Sequence, residues 1–192
     1  MILQLRIDEG NQLEELVDIE NYMVELFKNQ YNEAGPKSVQ ELMEELANLE
    51  IPKLDQYQKN NLDKPVYGAE IEGAVFKLGP HKALGPDLIP AFFYQEFWSI
   101  VRQDKLNYVY AFFHSSSLLK SRNQTYLTFI PKVKFPEKVT YFRPICLCNV
   151  TYRFISKILV SRLKPYMDML ITPYQNAFIR GRDITNNIFL SS

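Results

Sequence analysis

The hydrophobic positions follow a helical period over most of the chain and shorten to a strand period in one stretch. Over residues 12–31, Leu13, Leu16, Val17, Met23, Leu26 and Phe27 recur at roughly helical spacing, and Gly35-Pro36 ends the predicted helix. Ser38-Val-Gln-Glu41 is a capping-box pattern. It opens a second helix with Val39, Leu42, Met43, Leu46 and Leu49 on one face, stopped by Pro52. Residues 53–67 are polar, contain Asn60-Asn61 and Pro65, and read as a connector. Ile71, Ala74, Val75 and Leu78 predict a third helix, closed by Gly79-Pro80. Core packing accounts for all three stripes. Further helices are expected at 90–101 and 104–114, with Phe93, Phe97, Trp98, Leu106, Val109, Tyr110 and Phe113 on their apolar face.

The period then changes to two. Residues 125–131 and 144–148 read as strands, and the turn-forming run Lys134-Phe-Pro136-Glu-Lys138 lies between them. If the strands pair, Lys132 and Arg143 project from one hairpin, an arrangement suited to gripping a triphosphate. Asn149 is placed to cap a helix over 150–164. Phe154, Ile155, Ile158, Leu159 and Leu163 would face inward, and Arg153, Lys157, Arg162 and Lys164 outward. That outer face is either simply solvated or a phosphate contact. Pro165 ends the helix. Residues 172–182 form a turn presenting Arg180 and Arg182, and a last helix begins after it. Gly85-Pro86-Asp87 is a tight turn, with Gly85 free to adopt unusual backbone angles and Asp87 able to cap the next element. The expected fold is α+β, mostly helical, with a short antiparallel strand pair. The expected domains are an acidic helical extension at 1–80 and a second domain at 81–192.

Composition adds a polarity to this layout. The chain has 192 residues, 46% apolar, enough for a core. Its net charge is zero, but residues 1–80 carry 7 Lys and Arg against 16 Asp and Glu, and residues 81–192 carry 15 against 6. An acidic half beside a basic one points to different partners or an internal dock. Cations interleaved with Tyr and Phe in the basic half suit a nucleic-acid groove, or equally a basic surface over an aromatic core. No apolar run is long enough to span a membrane, and the first residues lack the pattern of a signal peptide. Cys146 and Cys148 flank one residue, which disfavours a disulfide. They read as reduced packing residues of an intracellular protein.

Four blocks taken together resemble the reverse transcriptase of non-LTR retrotransposons, the LINE type abundant in plant genomes. Lys82-Ala-Leu-Gly-Pro-Asp87 is similar to that family's Lys-Ala-Pro-Gly-Pro-Asp-Gly loop. Ile130-Pro-Lys132 and Phe142-Arg-Pro-Ile-Cys-Leu147-Cys-Asn149 resemble its first polymerase motif. Gln175-Asn-Ala-Phe178-Ile-Arg-Gly181-Arg182, with Asn187-Ile188, resembles its second. The chain departs from the pattern at Leu84, where the family has Pro, and at Leu88, where it has Gly. Asn186-Asn187 stands where Asp-Asn is usual.

The resemblance implies the fingers and the first edge of the palm of a right-hand polymerase. It implies that Lys132 and Arg143 bind the triphosphate of an incoming deoxynucleotide. Gln175, Phe178, Arg180, Gly181 and Arg182 would line the template path, although Phe178 fits a core position equally well. Arg153 and Lys157 are expected to contact nucleic acid, and Lys82, Gly85, Pro86 and Asp87 to form a structural loop. The implied partners are an RNA template and a DNA primer, held weakly, and the rest of the palm and thumb, with no membrane. Mg²⁺ is expected for the complete family enzyme, and no cofactor for this chain. The family's metal-binding carboxylates come from an Asp after the second motif and a later Tyr-x-Asp-Asp. After Glu137 the only acids here are Asp168 and Asp183, neither in those positions, and Tyr-x-Asp-Asp is absent. The sequence therefore assigns no catalytic and no metal-ligating residue and predicts a truncated chain, inactive alone. The alternatives are a non-catalytic nucleic-acid-binding remnant and a helical interaction protein built on residues 12–79.

Overall fold

A computed structural model describes residues 4–8, 11–32, 38–47, 52–120, 122–172, 175, 179 and 181–182. In chain order the elements are β1 (Leu5–Asp8), β2 (Asn11–Leu13), α1 (Leu16–Asn32), α2 (Val39–Ala47), α3 (Gln56–Asp63), α4 (Gly68–Phe76), α5 (Ala91–Glu96) and α6 (Trp98–Ser115). They continue with β3 (Thr125–Pro131), β4 (Phe142–Cys148), α7 (Val150–Leu163) and α8 (Met167–Leu170), with short 3-10 turns before β4 and α8. Two compact units result. The first comprises Met1–Leu49 and Tyr126–Leu147, the second Glu50–Thr125 and Cys148–Ser192.

The first unit is built on two strand pairs, β1 with β2 and β3 with β4. β1 and β2 are antiparallel, with Leu5 opposite Leu13, Arg6 opposite Gln12, and an irregularity between Arg6 and Asp8. Leu5, Ile19, Met23 and Phe142 form the unit's core, and the rings of Phe27 and Phe129 pack 5.2 Å apart beside it. Residues 11–13 are thus strand, where sequence periodicity places the start of the first helix. α2 begins with the capping box the sequence predicts. The Ser38 N–H donates to Glu41 Oε2 (2.7 Å) and the Glu41 N–H to Ser38 Oγ (3.2 Å). Its apolar stripe does not behave as core: Val39, Leu42 and Met43 are all exposed.

The second unit is helical. Ile71, Ala74 and Val75 of α4 meet Tyr94 of α5, Trp98, Leu106 and Val109 of α6, and Phe154, Ile155 and Ile158 of α7. Tyr94 and Phe154 cross edge to face at 5.3 Å. Burying a side chain such as Phe154 or Ile158 contributes about 1.5–3 kcal/mol. Two expectations need correction here. The stretch 53–67 is not all connector: α3 occupies Gln56–Asp63, started by a capping box in which Asp55 Oδ1 accepts from Gln58 N–H at 2.7 Å. The helices expected at 90–101 and 104–114 divide instead at Phe97, whose φ of −98° and ψ of 23° leave the helical region. Nothing at Arg102-Gln103 breaks a helix, so α6 runs through it.

Candidate nucleotide and nucleic-acid interface

The register of β3 on β4 decides what the hairpin presents. At one end the Lys132 N–H donates to the Tyr141 carbonyl at 2.7 Å. At the other, Thr125 Oγ1 and Cys148 Sγ lie 3.5 Å apart. Both contacts fit a single antiparallel register in which 125 faces 148 and 132 faces 141. Hydrogen-bonded pairs then fall at 132/141, 130/143, 128/145 and 126/147. Pro131 and Pro144, which have no N–H to give, both fall on non-hydrogen-bonded pairs, where the backbone points away from the partner strand. β4 accordingly starts at Phe142, two residues earlier than its apolar run predicts.

Side chains alternate across a strand, so this register sorts the hairpin into two faces. Phe129 and Phe142 turn toward the core of the first unit. Tyr126, Thr128, Ile130 and Lys132 of the β3 side share the other face with Tyr141, Arg143 and Ile145, and all seven are exposed. Arg143 lies opposite Ile130 and diagonal to Lys132. The Lys132 ammonium donates to the Thr140 carbonyl at 2.8 Å, which holds it at the base of the loop. This face carries two cations, two tyrosines and no acid. Cys146 is exposed and Cys148 half-buried, and both thiols are free. Only Cys148 approaches the packing role expected for the pair.

The remaining candidate residues that the structure describes lie in the second unit. The loop at Lys82–Asp87 is pressed against the junction of β4 and α7. A Cβ on Gly85 would meet Asn149 N at 2.5 Å and the Cys148 carbonyl carbon at 2.5 Å. Asn149 sits at the N-cap position of α7, but its side chain makes no cap bond. Instead Asn149 Oδ1 accepts the Asp87 N–H at 3.0 Å and Asn149 Nδ2 donates to the Arg122 carbonyl at 3.4 Å. Asp87 Oδ1 accepts from Ile89 N–H at 3.3 Å, closing an Asx turn. Burial, with Asp87 adding to it, pushes the nearby Tyr94 phenol up to about 12.

Leu88 comes next with φ of 55°, a left-handed conformation, at the position where the resembled family has Gly. It is 66% exposed, so its side chain contributes little packing. Left-handed backbone costs a residue with a Cβ about 1–2 kcal/mol. Glycine returns part of this through its freer unfolded chain, about 0.4–1 kcal/mol. Leu88→Gly should therefore raise stability by about 0.5–1 kcal/mol. Urea unfolding followed through Trp98, the chain's single tryptophan, reads this unit. A lowered midpoint would contradict the strain argument.

Arg153 donates to the Ala83 carbonyl at 2.6 Å, tying α7 to the same loop, and Lys157 is half-buried. Arg162 corrects the expectation of a solvated basic face on α7. Its guanidinium makes a two-pronged ion pair with Glu70 (both 2.8 Å) and donates to the carbonyls of Leu62, Lys64 and Pro65. Its cationic form is favoured first by the hydrogen bond to Glu70. Sequence spacing hides this pair because Glu70 lies 92 positions away. Arg182 is similarly engaged: it donates to the carbonyls of Thr172, Gln175, Asp168 and Ile171, and lies 3.5 Å from the Asp168 carboxylate. It thereby brings Gln175 and Arg182 together. Gly181 has φ of 81°, the left-handed region glycine favours. Phe178 and Arg180 lie outside the described residues.

One comparison bears on this arrangement. An uncharacterized 149 kDa protein of transposon TX1 from Xenopus laevis is 26% identical over 186 residues, 95% of this chain. The chain is similar to a transposon protein. It spans 14% of that relative's length. No protein-family model matches it. Among the described residues no three His, Cys, Asp or Glu side chains gather as metal ligands. Asp168, one of the two acids after Glu137, has a 76% exposed side chain engaged by Arg182. No helix among the described residues is long and apolar enough to cross a membrane.

Proposed function

We propose that the chain is the fingers portion, with the first edge of the palm, of a LINE-type reverse transcriptase. Its share of the work is to hold the triphosphate of a deoxynucleotide and to contact the nucleic acid being copied. The observation that carries this reading is the exposed face of the β3–β4 hairpin. Lys132 and Arg143 stand diagonally across it with no acid on the same face. Arginine offers a planar fork to phosphate oxygens, and lysine a compact charge. Lys132 gives one hydrogen to Thr140 and keeps two for a ligand. The likeness to a transposon protein over nearly the whole chain supports the same reading.

In this reading Gln175, Phe178, Arg180, Gly181 and Arg182 line the template path, Arg182 by shaping the turn through its bonds to four carbonyls, and Arg153 and Lys157 contact the nucleic acid beside it. RNA template and DNA primer are the macromolecular partners. Nucleotidyl transfer needs two metal ions about 4 Å apart, held by carboxylates. These residues do not supply that set, so the chain by itself should not extend a primer.

The test is binding of a fluorescent deoxynucleotide triphosphate to the whole chain. A hydrogen bond to a charged group contributes about 1.5–3 kcal/mol. Lys132→Ala with Arg143→Ala should weaken binding at least tenfold, while Lys157→Ala should leave it within about twofold. Equal affinity for the double variant and the unchanged chain would refute the clamp. If oligonucleotides bind but nucleotides do not, the better description is a nucleic-acid-binding remnant without polymerase function.

A further inference from the structure

The first unit contains a second feature, separate from the exposed face of β3–β4: a groove of about 1090 Å³. It lies along one stripe of α1, formed by Tyr22, Leu26 and Gln30 at spacings of four. Arg6 from β1 and Lys138 from the hairpin loop add two cations, and Phe27 adds a second ring. α1 also carries Asp18, Glu20 and Glu25, yet none of the described lining residues is acidic. The acids of this helix are kept off the groove, and the two cations in it are brought by β1 and the hairpin loop.

We propose that this groove binds a short single-stranded nucleic-acid segment, at a site distinct from the Lys132–Arg143 face. For the class of its ligand the proposal rests on the function proposed above. Ligand cavities commonly span roughly 300–1,000 Å³, so this one has room for more than one nucleotide. Tyr22 offers a ring face on which a base stacks without regard to sequence, and Phe27, whose ring packs on Phe129, lines the groove beside it. Arg6 and Lys138 offer positive charge to phosphates, and the Gln30 amide offers a donor and an acceptor to a base edge. Arg6 has a competing partner in Glu137 at 3.7 Å, but both side chains are about half exposed. Such surface pairs are weak and yield to a better anion. The Arg6 backbone is fixed independently, its N–H donating to the Glu137 carbonyl at 2.6 Å. The strand therefore stays in place when the side chain turns.

The experiment uses the full chain and fluorescein-labelled 12-nucleotide RNA and DNA of unstructured sequence, read by anisotropy across a salt series. Arg6→Ala with Lys138→Ala should weaken binding about tenfold and reduce the salt slope by about 1.4, that is 0.7 for each of two phosphates. Tyr22→Leu keeps an apolar side chain and removes the ring. It should weaken binding about fivefold and leave the slope unchanged. RNA and DNA should lose alike, because these contacts do not read the 2′-hydroxyl. A 4-thiouridine oligonucleotide should photo-crosslink at Tyr22 or Phe27, an arm that needs no variant. Unchanged affinity and slope in both groove variants, or crosslinks confined to Tyr126, Tyr141 and the rest of the exposed Lys132–Arg143 face, would overturn the proposal. In that event, loss of binding in the Lys132→Ala, Arg143→Ala variant would show that the proposed function stands and only the groove fails. A strand-forming peptide occupying the groove where neither oligonucleotide binds would overturn it too.

Discussion

Replacing Gly85 with alanine should destabilise the second unit by about 3 kcal/mol, through steric conflict and not through loss of any side chain. The added methyl would stand 2.5 Å from Asn149 N and from the Cys148 carbonyl carbon, and 2.6 Å from the Cys148 oxygen. All three are backbone atoms, so none can rotate aside. Overpacking a fitted site costs about 1–3 kcal/mol, and here the loop must lift as a whole. Lifting it breaks the bond from the Asp87 N–H to Asn149 Oδ1, a further loss of about 1 kcal/mol. With a urea dependence of about 2 kcal/mol per molar, the Trp98 transition should fall by roughly 1.5 M. Gly73 is the control. It lies inside α4, and a Cβ there meets nothing within 4 Å. Gly73→Ala should stabilise by up to about 1 kcal/mol through helix propensity alone. If Gly85→Ala unfolds within about 0.5 kcal/mol of the unchanged protein, the loop is not seated as described.

This loop also shows where sequence reasoning succeeds and where it stops. Gly85 and Asp87 stand out because Gly-Pro-Asp favours a turn through local chemistry alone. What the turn rests against is a matter of tertiary structure, and no local pattern carries it. The side-chain chemistry of Asn149 places it at the start of α7, and α7 begins there. Its amide is then drawn off by Asp87 and Arg122, partners 62 and 27 positions away. α2 and α3 make the same point in reverse. Both open with a capping box, Ser38 with Glu41 and Asp55 with Gln58. The first is legible because an apolar stripe accompanies it. The second is not, because α3 buries no residue and shows no stripe. Yet the stripe of α2 is itself exposed, so periodicity reports a helix more securely than it reports a core. β1 and β2 span four and three residues, too few for alternation to stand out.

The candidate site divides along the same line. Lys132 and Arg143 are legible because strand alternation and the two prolines limit the hairpin to few registers. The cations of α7 and of the last turn are not. Counting charges on a helical wheel treats Arg153 and Arg162 alike as solvated. In the structure Arg153 reaches a loop carbonyl and Arg162 an acid from α4. A cation already bound to four or five internal acceptors is a poor phosphate contact, because releasing it costs those bonds.

Arg162→Met should cost the second unit about 3–5 kcal/mol, comparable to or greater than the effect at Gly85. The arginine side chain is 11% exposed and that of Glu70 28%, so the pair is largely withdrawn from water. Removing one partner of such a pair leaves the other charge uncompensated, which is the costly event. Here it also strips donors from the carbonyls of Leu62, Lys64 and Pro65. The stack of Arg162 over Phe113, 5.8 Å from the ring centre, is lost as well. Arg162→Lys should recover only part of this, because a single ammonium cannot serve a carboxylate fork and three carbonyls together. Adding Glu70→Leu to Arg162→Met should return about 1–2 kcal/mol by removing the orphaned charge, a sign that a surface pair would not give. Arg102 and Glu72 provide the contrast. They lie 3.6 Å apart with side chains 48% and 43% exposed, and Arg102→Ala should cost under about 1 kcal/mol. If Arg162→Met costs no more than Arg102→Ala in the Trp98 transition, the anchor fails and Arg162 returns to the pool of phosphate-binding candidates. If the difference holds, Arg162 belongs to the fold, and the basic face of α7 offers nucleic acid Arg153, Lys157 and Lys164.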